Sequence, residues 1–283
     1  MLKKLYKYEW KSVSLLLLIL HGVLLLYTLI GRIAITFAMN LDYGHSASLF
    51  TNNIINIGGF LYLLAYAFFI IGIFIATIVY LTARIQKSMF SDEGYLTHTL
   101  PVSPAKLLWS KILIFWTWLA IDTICLILSV FLLITYKETW PGIQEAFRNF
   151  GYMFSYAGNS HGIAITILSI LTLFIQGFLY FTMLVVFSLC LGSQFKTHKI
   201  LGAIVTFFGI NIVQSILNTI LVLCVPGLSP ISTMVTTEKG VVVSSSGGNG
   251  YAAMIFTLVW YFILSVLFFL GSRYILSKKL NLE

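Results

Sequence analysis

Six long apolar stretches, separated by short polar intervals, constrain this chain more than any other feature. They cover approximately residues 13–39, 57–83, 107–136, 162–191, 200–225 and 251–276. A helix needs about 20 apolar residues to cross the hydrocarbon core of a bilayer. Only 9% of the 283 residues are charged, whereas a soluble domain has about 25%. The pattern predicts an all-α polytopic membrane protein with six transmembrane helices, built as a single transmembrane domain over residues 1–283.

Positive charges are concentrated on one side of these predicted helices. Thirteen of the 17 lysines and arginines lie at the termini or around the loops after the second and fourth stretches. By the positive-inside rule that side is cytoplasmic, so both termini are predicted inside the cell. An even number of spans agrees with this prediction, because it places both termini on the same side. The net charge of +8 therefore indicates topology rather than nucleic-acid binding. The cytoplasmic set is Lys3, Lys4, Lys7, Lys11, Arg84, Lys87, Lys106, Lys111, Lys196, Lys199, Arg273, Lys278 and Lys279.

The N-terminus has lysines before an apolar run, as a secretory signal peptide does. The run over residues 13–39 is far longer than the roughly 7–15 residues of a signal-peptide core. No convincing small-residue cleavage site follows it. The sequence therefore predicts a first transmembrane helix that is retained.

The intervals between the predicted helices are too short for an independent domain. Residues 40–56 are polar and rich in asparagine. Residues 140–159 carry aromatic side chains at helical spacing, which predicts an amphipathic helix in the outer interface. Residues 226–250 begin with proline and glycine, and their last piece, residues 241–250, favours a flexible loop or a small hairpin. The cytoplasmic interval 192–199 is so short that the fourth and fifth helices are predicted to be close antiparallel neighbours.

Asp122 is the only acidic residue near the middle of a predicted span. An intramembrane carboxylate is costly, so it is expected to face the bundle interior or water and is a functional candidate. The alternative is a structural role, in hydrogen bonds with Thr123 or a neighbouring helix. His21 is interpreted as a satisfied interior histidine. A proton-driven transporter is disfavoured, because no second carboxylate or lysine is visible in another span.

Amides and hydroxyls form a polar stripe along the fifth span. Spacings of three, four and seven residues place Asn211, Gln214 and Asn218 on one helix face. Because amides in lipid seek partners, this face either holds helices together or lines a wet pathway. Gln176 in the fourth span is placed to meet it. The candidate pathway-lining residues are Asp122, Gln176, Asn211, Gln214 and Asn218.

Motifs for catalysis and nucleotide binding are missing. The sequence contains no GxxxxGK[ST], HExxH or GxSxG, which argues against a P-loop and against the corresponding hydrolases. Cys125, Cys190 and Cys224 show no CxxC spacing, so neither a disulfide framework nor a metal site is predicted. The chain is therefore not expected to be an enzyme by itself, and no cofactor or metal is expected in it.

The longest cytoplasmic interval, residues 84–111, mixes cations with the adjacent acids Asp92 and Glu93. Ser91 is a potential helix N-cap, and the two carboxylates would then lie in a first turn where the helix dipole favours them. Gly94 limits such a helix to a short one, and a tight turn is the alternative.

The second half of this interval contains two prolines. Residues 95–101 are expected to be extended, because the residue before Pro101 is biased away from helix. A helix is predicted to restart at Pro104, with Ser103 as its N-cap. From these residues alone, an ordinary solvated loop with ordinary caps is favoured over a docking surface.

Two segments resemble the permease subunits of ABC-2 type ABC transporters, and in particular the six-span permeases of Firmicutes. They are KKLYKYEWKS before the first span and SDEGYLTHTLPVSPAKLLWSKIL before the third. In that family an acidic pair, an apolar stretch, Leu-Pro-x-Ser/Thr and Lys-Leu-Leu-x-x-Lys mark the cytoplasmic loop between helices two and three. The six spans, the internal termini and the absent P-loop agree with the resemblance along the whole chain.

The resemblance implies the type V exporter fold, with an N-terminal interfacial helix and a coupling helix in the loop 84–111. It implies two separately encoded ABC ATPase subunits, which hold ATP and Mg, and a second permease copy or sister permease in the plasma membrane of a bacterium. Short re-entrant helices precede the sixth span in this family, and the serine- and glycine-rich residues 226–250 depart from that pattern. The ATPase-docking residues implied are Ser91, Asp92, Glu93, Gly94, Tyr95 and Leu96, with Glu93 facing basic residues of the partner.

Export of peptides or amphiphilic compounds, in antimicrobial-peptide export or immunity, is the function that the resemblance implies. The alternative is a non-transport membrane assembly or sensor protein that binds a cytoplasmic regulator through residues 84–111. An ATPase gene next to this one would favour the first function.

Overall fold

The computed structural model describes residues 2–42, 49–99, 101–136, 139–156, 160–195, 198–225, 233–237, 240–244 and 250–278. Within these ranges six helices are long and apolar enough to cross a membrane, which confirms the predicted number of spans. The elements are α1 (Leu2–Asp42), α2 (Leu49–Phe90), α3 (Asp92–His98), α4 (Pro104–Ile134), α5 (Trp140–Tyr156), α6 (Ser160–Phe174), a π-helical segment (Ile175–Tyr180), α7 (Phe181–Gly192), α8 (Lys199–Cys224), β1 (Thr233–Thr237), β2 (Gly240–Ser244) and α9 (Gly250–Lys278).

Helix α1 is longer than the first apolar stretch and runs without interruption from Leu2 to Asp42. The N-terminal residues expected to form a separate interfacial helix are therefore its first turns, and that expectation is wrong. The KKLYKYEWKS segment contains no glycine or proline, so nothing in its backbone chemistry ends a helix before the apolar run.

The interval between the second and third spans also differs from the expectation. Residues 95–98, expected to be extended, complete the seven-residue helix α3, which ends at His98. The bias imposed by Pro101 thus acts only on the residues after the helix. The predicted restart at Pro104 is confirmed, and the Lys106 amide donates to the Ser103 carbonyl at 2.9 Å.

The predicted helix after the third span exists, and of the two alternatives left open before the sixth span, a flexible loop or a small hairpin, the structure has a hairpin. Helix α5 occupies most of residues 140–159. Strands β1 and β2 form an antiparallel pair in which Thr233 lies opposite Ser244 and Thr237 lies opposite Gly240. Among the residues described, the regular secondary structure is thus helical except for this small hairpin.

The described residues pack into two compact units. The first comprises residues 1–85 and 109–149, and contains α1, most of α2 and most of α4. Its core includes the cluster of Leu24, Tyr66, Ile73 and Leu133. Gly31 has no side chain to obstruct the ring of Tyr62, whose hydroxyl donates to the Tyr27 carbonyl at 3.1 Å.

Helices α1 and α4 of this unit run parallel. In successive side-chain contacts between α1 and α4, the residue numbers increase along both helices. In the contacts between α2 and α4, the residue number on α2 decreases as that on α4 increases, so α2 is antiparallel to both. Directions that alternate along the chain are what successive membrane crossings require. The α1–α4 pairs are Glu9 with Lys111, His21 with Asp122, and Thr28 with Ser129.

The second unit comprises residues 86–108 and 150–283. Helix α7 is its most buried element, with residues such as Leu184 and Val186 almost inaccessible. A Cβ on Gly192 would overlap the backbone of Ala203, so α7 and α8 approach closely where the chain turns between them. The predicted antiparallel neighbours and the predicted helix end at Gly192 are confirmed.

Candidate functional site

The short helix α3 lies in the loop that the sequence analysis singled out. Ser91 stands at its N-cap with an extended backbone, but its side chain makes no capping hydrogen bond. Its carbonyl accepts a hydrogen bond from the Gly94 amide at 2.7 Å instead. The predicted helix start at Ser91 is right, whereas the predicted side-chain cap is absent.

Two contacts hold α3 against the end of α2. His98 Nε2 lies 3.2 Å from the carbonyl oxygen of Met89 and donates to it. Glu93 forms an exposed ion pair of 3.3 Å with Lys87. Burial lowers the pKa of His98, and the hydrogen bond to Met89 opposes that shift. Burial thus favours the neutral form of His98, and the two contacts attach α3 to the last turns of α2.

The outward face of α3 is apolar. Tyr95 is 66% exposed and Leu96 is 69% exposed, whereas Gly94 is buried. Ser91 is exposed and Glu93 is half-buried beside Lys87, so the carboxylate expected to face a partner has an ionic contact within the chain. The side chain of Asp92 lies outside the described part. We call Ser91 to Leu96 the docking segment.

Asp122 occupies a buried site in the first unit, where three helices meet. It is 1% exposed, and His21 is 4% exposed. His21 Nε2 on α1 lies 2.5 Å from Asp122 Oδ1, and the Thr77 hydroxyl on α2 donates to the same oxygen at 3.2 Å. Asp122 Oδ2 has no hydrogen-bond partner among the described residues. We call His21, Thr77 and Asp122 the buried triad.

The second nitrogen of His21 fixes how the ring is protonated. Nδ1 lies 2.6 Å from the carbonyl oxygen of Leu17. Because a carbonyl only accepts hydrogen bonds, Nδ1 must carry a hydrogen. A further proton must then lie between Nε2 and Asp122 Oδ1, on one atom or the other. The interpretation of His21 as a satisfied interior histidine is confirmed, and its partner is Asp122.

Sequence reasoning treated Asp122 and His21 separately and so missed their contact. The sequence does offer a signal, because histidine is itself an ionisable group and His21 lies in a different span from Asp122. Parallel first and third spans bring the two side chains to one level.

A hydroxyl cluster lies seven residues further along the same helices. Thr28 and Ser129 hydroxyls are 2.6 Å apart, and the Tyr66 hydroxyl is 2.6 Å from Ser129. Seven residues correspond to about 10 Å of helix rise. Beyond this cluster, Arg32 donates to the Leu132 carbonyl at 3.1 Å.

A buried ion pair lies nearer the N-terminal end of α1. Lys111 forms an ion pair with Glu9, and their side chains are 3% and 19% exposed. A small cavity there is also lined by Arg84 and apolar residues such as Phe115. Lysine is almost never fully buried unless it is paired, so Glu9 explains how Lys111 is tolerated. Between this pair and the buried triad, the α1 face consists of buried Val13 and Leu17.

The predicted polar stripe of the fifth span lies on α8 in the second unit. Gln214 is buried, and its Nε2 has no partner among the described residues. Asn211 is half-buried and donates to the carbonyl of Phe207 at 2.8 Å. Asn218 is half-buried, and Gln176 is exposed within the π-helical segment. The structure gives no hydrogen bond between Gln176 and the stripe residues, so their role in a pathway stays a prediction.

Metal chemistry finds no support in the described ranges, which hold no group of three histidine, cysteine or carboxylate side chains placed for a metal ion. Comparison with protein-family models, with curated proteins and with solved structures gives no match. The function must therefore be argued from the docking segment, the buried triad and the six spans.

Proposed function

We propose that this chain is the transmembrane permease subunit of an ATP-binding cassette transporter, driven by a separate ATPase and exporting peptides or amphiphilic compounds. The observation that carries the proposal is the docking segment. A seven-residue helix in a polar loop exposes Tyr95 and Leu96 together. Large apolar side chains held side by side in an aqueous loop favour protein contact, and tyrosine is enriched among residues that dominate binding.

The attachment of α3 suits it to transmit force. His98 and Glu93 bind it to the last turns of α2, which is one uninterrupted helix from Leu49 to Phe90. A displacement of α3 by a bound partner therefore displaces the end of a membrane-spanning helix. A loose loop would absorb the same movement.

The energy source belongs to the partner in this proposal. Two ATPase subunits would hold ATP and Mg, and a second permease copy or a sister permease would complete the pathway in the plasma membrane. Polar groups on α8, among them Gln214 and Asn218, are the candidate lining of that pathway, together with Gln176. Export and its substrate class rest on the family resemblance.

The test is co-purification with the ATPase encoded next to this chain, followed by ATP turnover in nanodiscs with a panel of peptides and lipids. Tyr95→Ala and Leu96→Ala are expected to reduce ATPase recovery by about tenfold or more, as for central interface residues. Phe195→Ala is the matched control. Phe195 is a 50% exposed aromatic residue in the loop between α7 and α8, and its variant should recover the ATPase normally.

Charge reversal separates docking from coupling. The Lys87–Glu93 pair is exposed, so its loss costs at most about 1 kcal/mol, and Glu93→Lys should fold. We expect this variant to lose stimulated ATP turnover. Full turnover in Glu93→Lys would exclude a coupling role for Glu93. Normal ATPase recovery by both the Tyr95 and Leu96 variants, or no ATPase recovered with the unmodified chain, would contradict the proposal and favour a sensor or assembly protein.

A further inference from the structure

We propose that His21 and Asp122 form a proton-binding site inside the first unit, and that separation of α1 from α4 at neutral or alkaline pH releases one proton. This inference concerns the chain's own titratable groups and does not depend on an ATPase partner. It starts from the geometry of the buried triad, in which both nitrogens of His21 face oxygen acceptors at 2.5 and 2.6 Å.

The geometry fixes the number of protons in the packed state. His21 Nδ1 keeps its hydrogen because the Leu17 carbonyl accepts it. Two arrangements remain for the contact with Asp122. Both groups are ionised, as imidazolium beside carboxylate, or both are neutral, as imidazole beside carboxylic acid. Both contain one proton between Nε2 and Oδ1, and both have zero net charge.

Burial keeps that number constant. Removal of the proton would leave a negative charge, and addition of another would leave a positive charge, at residues that are 1% and 4% exposed. An isolated charge in such a place is strongly disfavoured. The Thr77 hydroxyl stabilises the oxygen that shares the proton but contributes no titratable group.

Other charged groups of the unit lie at least seven residues along a helix from the triad, the nearest being Arg84, seven residues after Thr77 on α2, and Lys11, ten residues before His21 on α1. On α1, Glu9 is twelve residues from His21 and Arg32 is eleven, which corresponds to about 16–18 Å of helix rise in each direction. On α4, Lys111 lies eleven residues before Asp122, and Cys125 lies one turn after it. On α2, Tyr66 bonds to Ser129 at the level of the hydroxyl cluster. The gaps exceed a hydrogen bond, so the site stores a proton and is not part of a continuous proton wire.

An opened site behaves differently because water reaches it. Exposed histidine has a pKa of about 6.5 and exposed aspartate of about 3.9. Above pH 6.5 the opened pair consists of neutral imidazole and carboxylate and has lost the shared proton, whereas the packed pair keeps it. Each further pH unit therefore favours opening by about tenfold. Between pH 4 and 6.5 both states hold one proton, and opening is independent of pH.

Equilibrium unfolding of the full chain in mixed micelles with SDS, from pH 5 to 8.5, tests the proposal. In the unmodified chain this site should not change the folding equilibrium constant between pH 5 and 6. Above pH 7 it should lower that constant about tenfold per pH unit. In the packed state of Asp122→Asn, His21 is neutral and there is no shared proton. Its stability should rise with pH up to 6.5 and then stay level, which is the opposite dependence.

Two further variants make the result decisive. His21→Gln removes the imidazole that shares the proton with Asp122, so its pH dependence between pH 5 and 6 should differ from that of the unmodified chain. Ser129→Ala removes a buried polar contact between the same two helices but no titratable group, so its curve should run parallel to that of the unmodified chain. Subtraction from the unmodified chain at each pH cancels other groups, including His98.

Parallel pH profiles for the unmodified chain, Asp122→Asn and His21→Gln would overturn the proposal. If one variant does not fold, the other still has a predicted slope that differs from that of the unmodified chain between pH 5 and 6. A dye-based measurement of proton release on rapid unfolding at pH 8 is the direct readout. The unmodified chain should release one proton more than Asp122→Asn, and equal release would contradict the inference.

Discussion

The Glu9–Lys111 pair provides a sharp test of how the first unit tolerates charge. Replacing Glu9 by Gln removes the carboxylate and leaves the Lys111 ammonium in a site where its side chain is 3% exposed. Removal of one partner from a buried ion pair costs about 3–5 kcal/mol. The Glu9 side chain is 19% exposed, so partial solvation places the expected loss near the lower end, about 3 kcal/mol.

Replacing Lys111 by Met is expected to cost far less. Methionine matches the length of the lysine stem and fills its apolar surroundings, and the carboxylate left behind reaches water. The loss should be about 1 kcal/mol or smaller. The double variant Glu9→Gln with Lys111→Met should resemble the Lys111 single variant, because the buried ammonium is gone.

The assay is equilibrium unfolding in mixed micelles with SDS at pH 7, with all four chains compared in a double-mutant cycle. The expected order of stability is the unmodified chain, then Lys111→Met and the double variant together, then Glu9→Gln. If Glu9→Gln is as stable as Lys111→Met, the ammonium is solvated by other means and the reasoning fails.

Two other predictions concern the second unit. Because burial lowers the pKa of His98, the folded state prefers neutral histidine, so the attachment of α3 is stable above the ordinary pKa of about 6.5 and weakens as pH falls below it. The protection factors of residues 89–99, which are exchange rates corrected for the pH dependence of intrinsic amide exchange, should fall between pH 7 and 5.5 in the unmodified chain and stay level in His98→Gln. Gly192→Ala should destabilise the chain by about 1–3 kcal/mol, since its Cβ would overlap the Ala203 backbone. Gly209→Ala meets no atom within 4 Å and should be neutral or stabilising by up to about 1 kcal/mol in the same unfolding assay.

Much of the architecture follows from hydrophobicity alone. Each span needs enough consecutive apolar residues to cross the hydrocarbon core as a helix that satisfies its own backbone hydrogen bonds. Such stretches can be recognised directly in the sequence. The helix end at Gly192 follows from turn chemistry, whereas the pairing of residues 233–237 with 240–244 does not. Local rules also placed the start of α3 after Ser91.

The errors arose where a distant contact decides a local outcome. Residues 95–98 were expected to be extended because of Pro101, yet the hydrogen bond from His98 to Met89 stabilises one more helical turn. The buried triad needs the relative position of three helices, and a single sequence does not supply it. Glu9 lay in a segment expected to form a separate helix, so its pairing with Lys111 was out of reach.

Matched levels along α1 and α4 also restrict how these helices move. A shear of α1 by one helical turn would carry it about 5.4 Å and would break the contacts at Glu9, His21, Thr28 and Arg32 together. A hinge at one end breaks them one after another, so each step costs less than the whole. Sliding of α1 along α4 is thus disfavoured, and separation of the two helices from one end is the easier movement. The order in which the contacts break decides when water reaches the buried triad.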